Sequence, residues 1–202
     1  MRVISGTAKG RPLKPAGAAT RPITDRVKES LFDIWAARVV DANVLDLFAG
    51  AGSVGIEALS RGARAATFVE LERDALRAIH ANLQATRLAD RARVVRMDVF
   101  KFIRRAAEEK HVLSEAEGHA LSEVDGFDLI YVAPPQYRGL WAETLRALDG
   151  NVLLAERGIV VAQIHPKEYT ELALTNLELF NQRKYGSTLL CFYRRSHHCE
   201  TV

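Results

Sequence analysis

Five short apolar runs, the first four each leading into a stretch with helical spacing, constrain this chain more than any other feature. Val44–Leu47, Ala66–Glu70, Arg93–Asp98, Phe127–Ala133 and Ile159–Ile164 read as buried strands. Val54–Arg61, Asp74–Thr86, Val99 to about Glu109 and Trp141–Leu148 read as the helices between them. Strands joined through helices of this length pair in parallel by right-handed crossovers, with helices on both faces of the sheet. The last segment departs from this: Leu177–Lys184 and Thr188–Arg194 flank a turn at Tyr185-Gly186 and read as an antiparallel hairpin. The pattern predicts an α/β fold, a Rossmann-like doubly wound sheet of seven mostly parallel strands closed by that hairpin. Cys191 is expected in the core of the last strand, and Trp35 and Trp141 are expected to pack helices onto the sheet.

Ahead of the alternation lies a Gly-, Pro- and Lys/Arg-rich stretch, read as a small arm or hairpin with no core of its own. A helix start is legible at Thr24-Asp25, with Val27, Leu31, Ile34 and Trp35 at helical spacing behind it. The expected organisation is therefore an arm over 1–22 and one domain over 23–202. Charge is uneven: Arg2, Lys9, Arg11, Lys14, Arg21, Arg26 and Lys28 face Asp25 alone, a balance of +6 in a chain whose net charge is +3. A basic arm on a mildly acidic body suits a polyanion such as RNA, and equally a solvated tail. Two cysteines exclude a disulfide framework and a CxxC metal site, and the absence of a long apolar run argues against a membrane partner. A cytoplasmic protein with no metal is the expectation. The acidic segment 111–125 reads as a solvated loop or an extended helix end, with His111 and His119 at the surface.

Gly50-Ala51-Gly52-Ser53-Val54-Gly55 satisfies GxGxxG between a strand and a helix, and Glu70 follows at the end of the next strand. Both features fit a dinucleotide site, where Glu70 would accept from a ribose. Asp46, at the carboxyl end of the first strand, shifts the balance. A pyrophosphate at the helix N-terminus is hindered by a carboxylate beside it, whereas a ligand carrying an ammonium and a sulfonium is favoured. S-adenosylmethionine is such a ligand, with its adenine expected near Asp98. Ala133-Pro134-Pro135-Gln136-Tyr137 then follows the fourth strand. Two prolines hold the chain extended with its carbonyls free, and an aromatic ring beside them suits a planar base with an amino group.

These residues resemble the motifs of class I S-adenosylmethionine-dependent methyltransferases that act on exocyclic amines. Thr20–Phe32 (TRPITDRVKESLF), Gly55–Gly62 (GIEALSRG) and Tyr185–Thr188 (YGST) narrow the resemblance to the bacterial RsmD family, which methylates guanine N2 in 16S rRNA. The similarity runs from Arg2–Gly6 to Tyr193–Arg195. It implies donor contacts from Asp46, Phe48, Ala49, Gly50, Gly52, Glu70, Asp98 and Val99, and chemistry at Ala133–Tyr137. Arg2, Lys9, Arg11, Lys14, Arg21 and Arg26 would meet phosphates of 16S rRNA, in the small subunit or an assembly intermediate, with the enzyme acting as a monomer. One motif departs from the family pattern. Ala133 stands where an acid or amide precedes the prolines, and Tyr137 comes one position late, after Gln136. The Pro134 carbonyl and the Gln136 side chain then remain as acceptors for the target amine. The rival readings are an NAD(P)-dependent oxidoreductase, a non-catalytic rRNA-binding relative, and a methyltransferase with another amine target.

Overall fold

The computed structural model describes residues 1–17, 23–116, 126–151 and 153–196. Helix α1 (Asp25–Trp35) starts where Thr24 accepts the Val27 N–H on its hydroxyl at 3.4 Å. It buries Val27, Leu31, Phe32 and Trp35 on one stripe. The alternation follows: β1 (Asn43–Leu47), α2 (Ser53–Ser60), β2 (Ala65–Glu70), α3 (Arg73–Thr86), β3 (Ala92–Arg96), α4 (Val99–Ala116), β4 (Phe127–Val132), α5 (Leu140–Asp149) and β5 (Leu154–Ile164). β6 (Leu177–Tyr185) and β7 (Thr188–Arg195) close the chain as a hairpin. The seven strands lie in the order β3-β2-β1-β4-β5-β7-β6. The first five are parallel, as the sequence predicts, and β7 is antiparallel to both its neighbours, so that β6 runs in the direction of the first five.

Two boundaries differ from the sequence reading by more than two residues. β5 begins at Leu154, ahead of the apolar run, because the polar residues Glu156 and Arg157 lie on a solvent-facing irregular stretch with a register shift against β4. α4 runs past Glu109 to Ala116, carried by good helix formers, so the first part of the acidic segment is helix end. Residues 117–125, His119 among them, lie outside the described residues.

The sheet separates two apolar cores. One packs α1, α2 and α3 against Val44, Phe68, Leu129, Val161 and Phe192; the other packs α4 and α5, with Trp141, against Leu45, Val69, Ile130, Val160 and Cys191. The arm joins the first core through Val3, Ala8 and Leu13, with a single antiparallel bridge between Arg2 and Pro12. Ile4 and Ser5 donate backbone N–H groups to the two carboxylate oxygens of Glu57 on α2, at 2.8 and 2.9 Å. Gly6 closes the contact: its φ is +82°, and a Cβ there would lie 1.8 Å from the Ser60 carbonyl oxygen.

Lys28 corrects the charge reading. It is fully buried, with its ammonium 3.1 Å from Glu57 and donating to the Arg2 carbonyl at 2.6 Å. It is therefore a structural cation and not part of an exposed basic footprint. Burial draws its pKa down, against the pull of Glu57.

Candidate active site

Parallel strands deliver their following loops to one end of a sheet, and at the centre of this one β1 pairs with β2 on one side and β4 on the other. Four loops therefore share the crevice outside the carboxyl ends: the glycine turn after β1, Glu70 after β2, Asp98 after β3 and Ala133–Tyr137 after β4.

Glycine is required in this turn for two physical reasons. Gly50 and Gly52 have φ of 56° and 74°, in the left-handed region. Gly55, inside α2, lets the helix approach β2 so closely that an added Cβ would lie 2.3 Å from the Phe68 ring. Phe48 is also left-handed, at φ 58°, and half-buried, while Ala49 is buried with its N–H on the Val69 carbonyl.

Glu70 holds the turn in shape. Its Oε2 accepts the Gly50 N–H at 2.8 Å, and its Oε1 accepts the N–H groups of Leu71 and Glu72 at 2.7 and 3.0 Å. A carboxylate offers about four acceptor positions, so these three bonds leave room for another donor. Asp98 caps α4, with Oδ1 accepting from Phe100 and Lys101 at 3.1 Å each, and Oδ2 unused by the cap. Val99 beside it is buried in the second core, so its side chain serves packing.

Asp46 is not where the sequence reading expects it. Its side chain alternates onto the face covered by α2, leaving only 1% of the residue exposed, and Oδ2 accepts the Gly55 N–H at 3.0 Å. The carboxyl lies beneath the turn instead of presenting itself to a ligand in the crevice. Desolvation pushes its pKa up to about 8, opposed by the Gly55 hydrogen bond and assisted by Glu70. Tyr131, its register partner on β4, donates to Gln163 at 2.7 Å. Burial, then Asp46, raises the phenol well above its ordinary value.

Beyond β4, the Ala133 N–H reaches the Leu47 carbonyl, Pro134 is buried, Pro135 is exposed and Gln136 is half-buried. Tyr137 projects with 66% of its surface exposed. Its N–H is held by Glu168 and its ring lies against His165, both on the turn after β5.

The arm reaches the same crevice by a route that the sequence reading missed. Asn82 of α3 accepts the Lys14 N–H, donates to the Lys14 carbonyl, and donates to the Ala51 carbonyl inside the glycine turn, at 2.7, 2.9 and 2.9 Å. The available signal was a polar residue on the buried stripe of α3, between Ile79 and Leu83. Lys9 and Lys14 are exposed. Arg2 is exposed but pairs with Asp25 at 3.1 Å, Arg11 donates to the Ala85 carbonyl, and Arg26 lies over the Tyr185 ring at 5.8 Å. Arg21 lies outside the described residues. Two cavities lie elsewhere, one between the arm and α1 beside Phe32 and Arg61, the other beside Arg38, Phe180 and Arg194. Among the described residues no helix is long and apolar enough to cross a membrane, and no cluster of metal-ligating side chains occurs.

The chain is similar to known proteins along nearly its whole length. The family described as Conserved hypothetical protein 95 matches residues 1–194. YlbH of Bacillus subtilis is 37% identical over 198 residues, covering 96% of this chain and 99% of that protein. Ribosomal RNA small subunit methyltransferase D of Escherichia coli K12 is 33% identical over 196 residues, covering 96% of this chain and 90% of that one. The solved structure of yhhF from Escherichia coli superposes with a TM-score of 0.78 at 30% identity, over 97% of this chain and 98% of that chain. With a family match over residues 1–194 and sequence similarity nearly end to end, the chain belongs to the Conserved hypothetical protein 95 family, the methyltransferase family that includes ribosomal RNA small subunit methyltransferase D.

Proposed function

We propose that this chain transfers the methyl group of S-adenosylmethionine to the exocyclic N2 of a guanine in small-subunit rRNA. The observation that carries the choice of ligand is at the start of α2. The Gly50 and Gly55 N–H groups are already taken by the carboxyl groups of Glu70 and Asp46. A pyrophosphate would have to displace these acids and then sit beside them, whereas a cationic ligand gains from Glu70 directly and from Asp46 as that group gives up its proton. Asp46 acts here from beneath the turn, through its field, and a cation above it stabilises its ionised form. The ligand's rRNA target is supported by the relatives: the 33% identical protein carries that activity in its name.

The residues present fit the donor. Glu70 has an acceptor position left for a ribose hydroxyl, Asp98 Oδ2 faces no competing N–H of the cap, and Phe48, Ala49, Gly50, Gly52 and Val99 stand on the loops after β1 and β3. Bound there, S-adenosylmethionine supplies an electrophilic methyl group on a sulfonium. The protein's own contribution is alignment and exclusion of water. A guanine amine is a poor nucleophile while its lone pair is conjugated with the ring. The Pro134 carbonyl and the Gln136 side chain accept its hydrogens and turn the lone pair toward the donor. Tyr137 stacks on the base, which must first leave its own stack at a cost of a few kcal/mol.

Arg2, Lys9, Arg11, Lys14, Arg21 and Arg26, on and just beyond the arm over 1–22, meet phosphates and set register without reading bases. The domain over 23–202 carries the chemistry. The substrate is 16S rRNA in the small subunit or an assembly intermediate, met by a monomer in the cytoplasm. Incubating the protein with labelled S-adenosylmethionine and small subunits from a strain lacking the enzyme tests this. Label in N2-methylguanosine after nucleoside digestion is the expected result. Label in adenosine or protein would reassign the target, and no label with donor binding intact would leave a non-catalytic rRNA-binding protein.

A further inference from the structure

Tyr137 adopts a backbone conformation that L-residues enter reluctantly, with φ at 60°. An exposed tyrosine in that state must be held, and the turn after β5 holds it. Glu168, in the short 3-10 turn Pro166–Glu168, accepts the Tyr137 N–H on Oε1 and the His165 N–H on Oε2, the latter at 3.2 Å. One carboxylate thus ties the loop after β4 to the loop after β5. The His165 imidazole lies against the phenol, with ring centroids 5.4 Å apart and planes at 39°. Its Nδ1 accepts the Lys167 N–H at 3.1 Å, so the ring cannot swing away without losing that bond. The two rings are already in contact, which leaves no gap for a base between them. His165 therefore backs one side of Tyr137, while the phenol keeps an open face toward solvent.

Resting on the function proposed above, we infer that Glu168 and His165 are positioning residues that fix Tyr137 as the platform for the target base. The need for them follows from the displaced motif. An aromatic directly after the prolines is placed by their rigid backbone, whereas Tyr137 follows Gln136 and takes a left-handed turn that the prolines do not impose. The loop after β5 supplies the missing constraint. Neither residue touches the base; both act through the tyrosine.

A double-mutant cycle separates this from a general role in folding. The measurements are kcat and KM for methylation of small subunits, with donor affinity as the control for an intact fold. Tyr137→Ala should lower kcat/KM about five- to hundredfold, the usual range for losing one base–aromatic stack. Glu168→Ala should lower it about tenfold or more on loss of a charge-assisted tether, His165→Ala about fivefold on loss of one ring contact, and both should leave donor affinity unchanged. In the Tyr137→Ala background each should cost less than about twofold. His165→Phe should recover most of the His165→Ala loss, since a ring still backs the phenol. Losses that persist in full without Tyr137, or a His165→Phe variant as poor as His165→Ala, would overturn the inference alone. A wild-type protein that methylates no small subunit would overturn the proposed function and this inference with it.

Discussion

Asp46 carries a carboxyl with only 1% of the residue exposed and one hydrogen bond, from Gly55, to offset its desolvation. Its pKa of about 8 lies above the ordinary 3.8. Between those values the folded chain keeps a proton that the unfolded chain has lost, so this group lowers stability as pH rises through the window. The slope approaches about 1.4 kcal/mol per pH unit. Asp46→Asn keeps an oxygen for the Gly55 N–H and removes the titration. Urea unfolding at pH 5.5 and pH 7.5 should show the variant gaining on the wild type by about 2 kcal/mol between the two. A difference that does not change with pH would show that Asp46 is ionised in the fold throughout. The same geometry links ligand to proton: a cation bound above the turn should drive proton release, so donor affinity rises with pH up to about 8.

At the scale of elements, the contact between α2 and β2 sets the shape of the glycine turn. Gly55→Ala would put its Cβ into the Phe68 ring, which is fully buried and cannot swing clear. Overpacking of this kind costs about 1–3 kcal/mol, and in a chain of this size each kcal/mol lowers Tm by about 2–4 °C. Thermal unfolding of Gly55→Ala should show that loss, and Phe68→Leu in the same chain should recover part of it by making room. Additive losses from the two changes would mean that Gly55 is needed for something other than this approach. Most of the element plan was legible in the sequence because period and turn chemistry are local properties. Asp46 was misplaced because its direction depends on which face of β1 meets α2, which the run Val44–Leu47, apolar except for itself, does not reveal. Lys28, Glu57 and Asn82 were missed for a related reason. A polar residue on an apolar stripe, such as Asn82, is visible in the sequence, but what it does is legible only once its partner, 25 or more positions away, is in place. The Glu168 tether likewise joins loops 31 residues apart.

Across the whole molecule, the basic arm and the crevice form one surface because Asn82 fastens Lys14 to the glycine turn. Lys9 and Lys14 are both exposed. Each phosphate neutralised contributes about 0.7–0.9 to the slope of log affinity against log salt. Lys9→Ala with Lys14→Ala should therefore flatten the slope for rRNA by about 1.5, and weaken binding without changing donor affinity. An unchanged slope would place the RNA away from the arm. The crevice is built for a cationic methyl donor and not for a phosphate-bearing dinucleotide. Isothermal titration of the full chain with S-adenosylmethionine and with NADH tests it most directly. One donor should bind per chain, with affinity about tenfold or more weaker in Glu70→Ala on loss of a charge-assisted hydrogen bond, and NADH should give no heat. Saturable uptake of NADH with none of S-adenosylmethionine would contradict it.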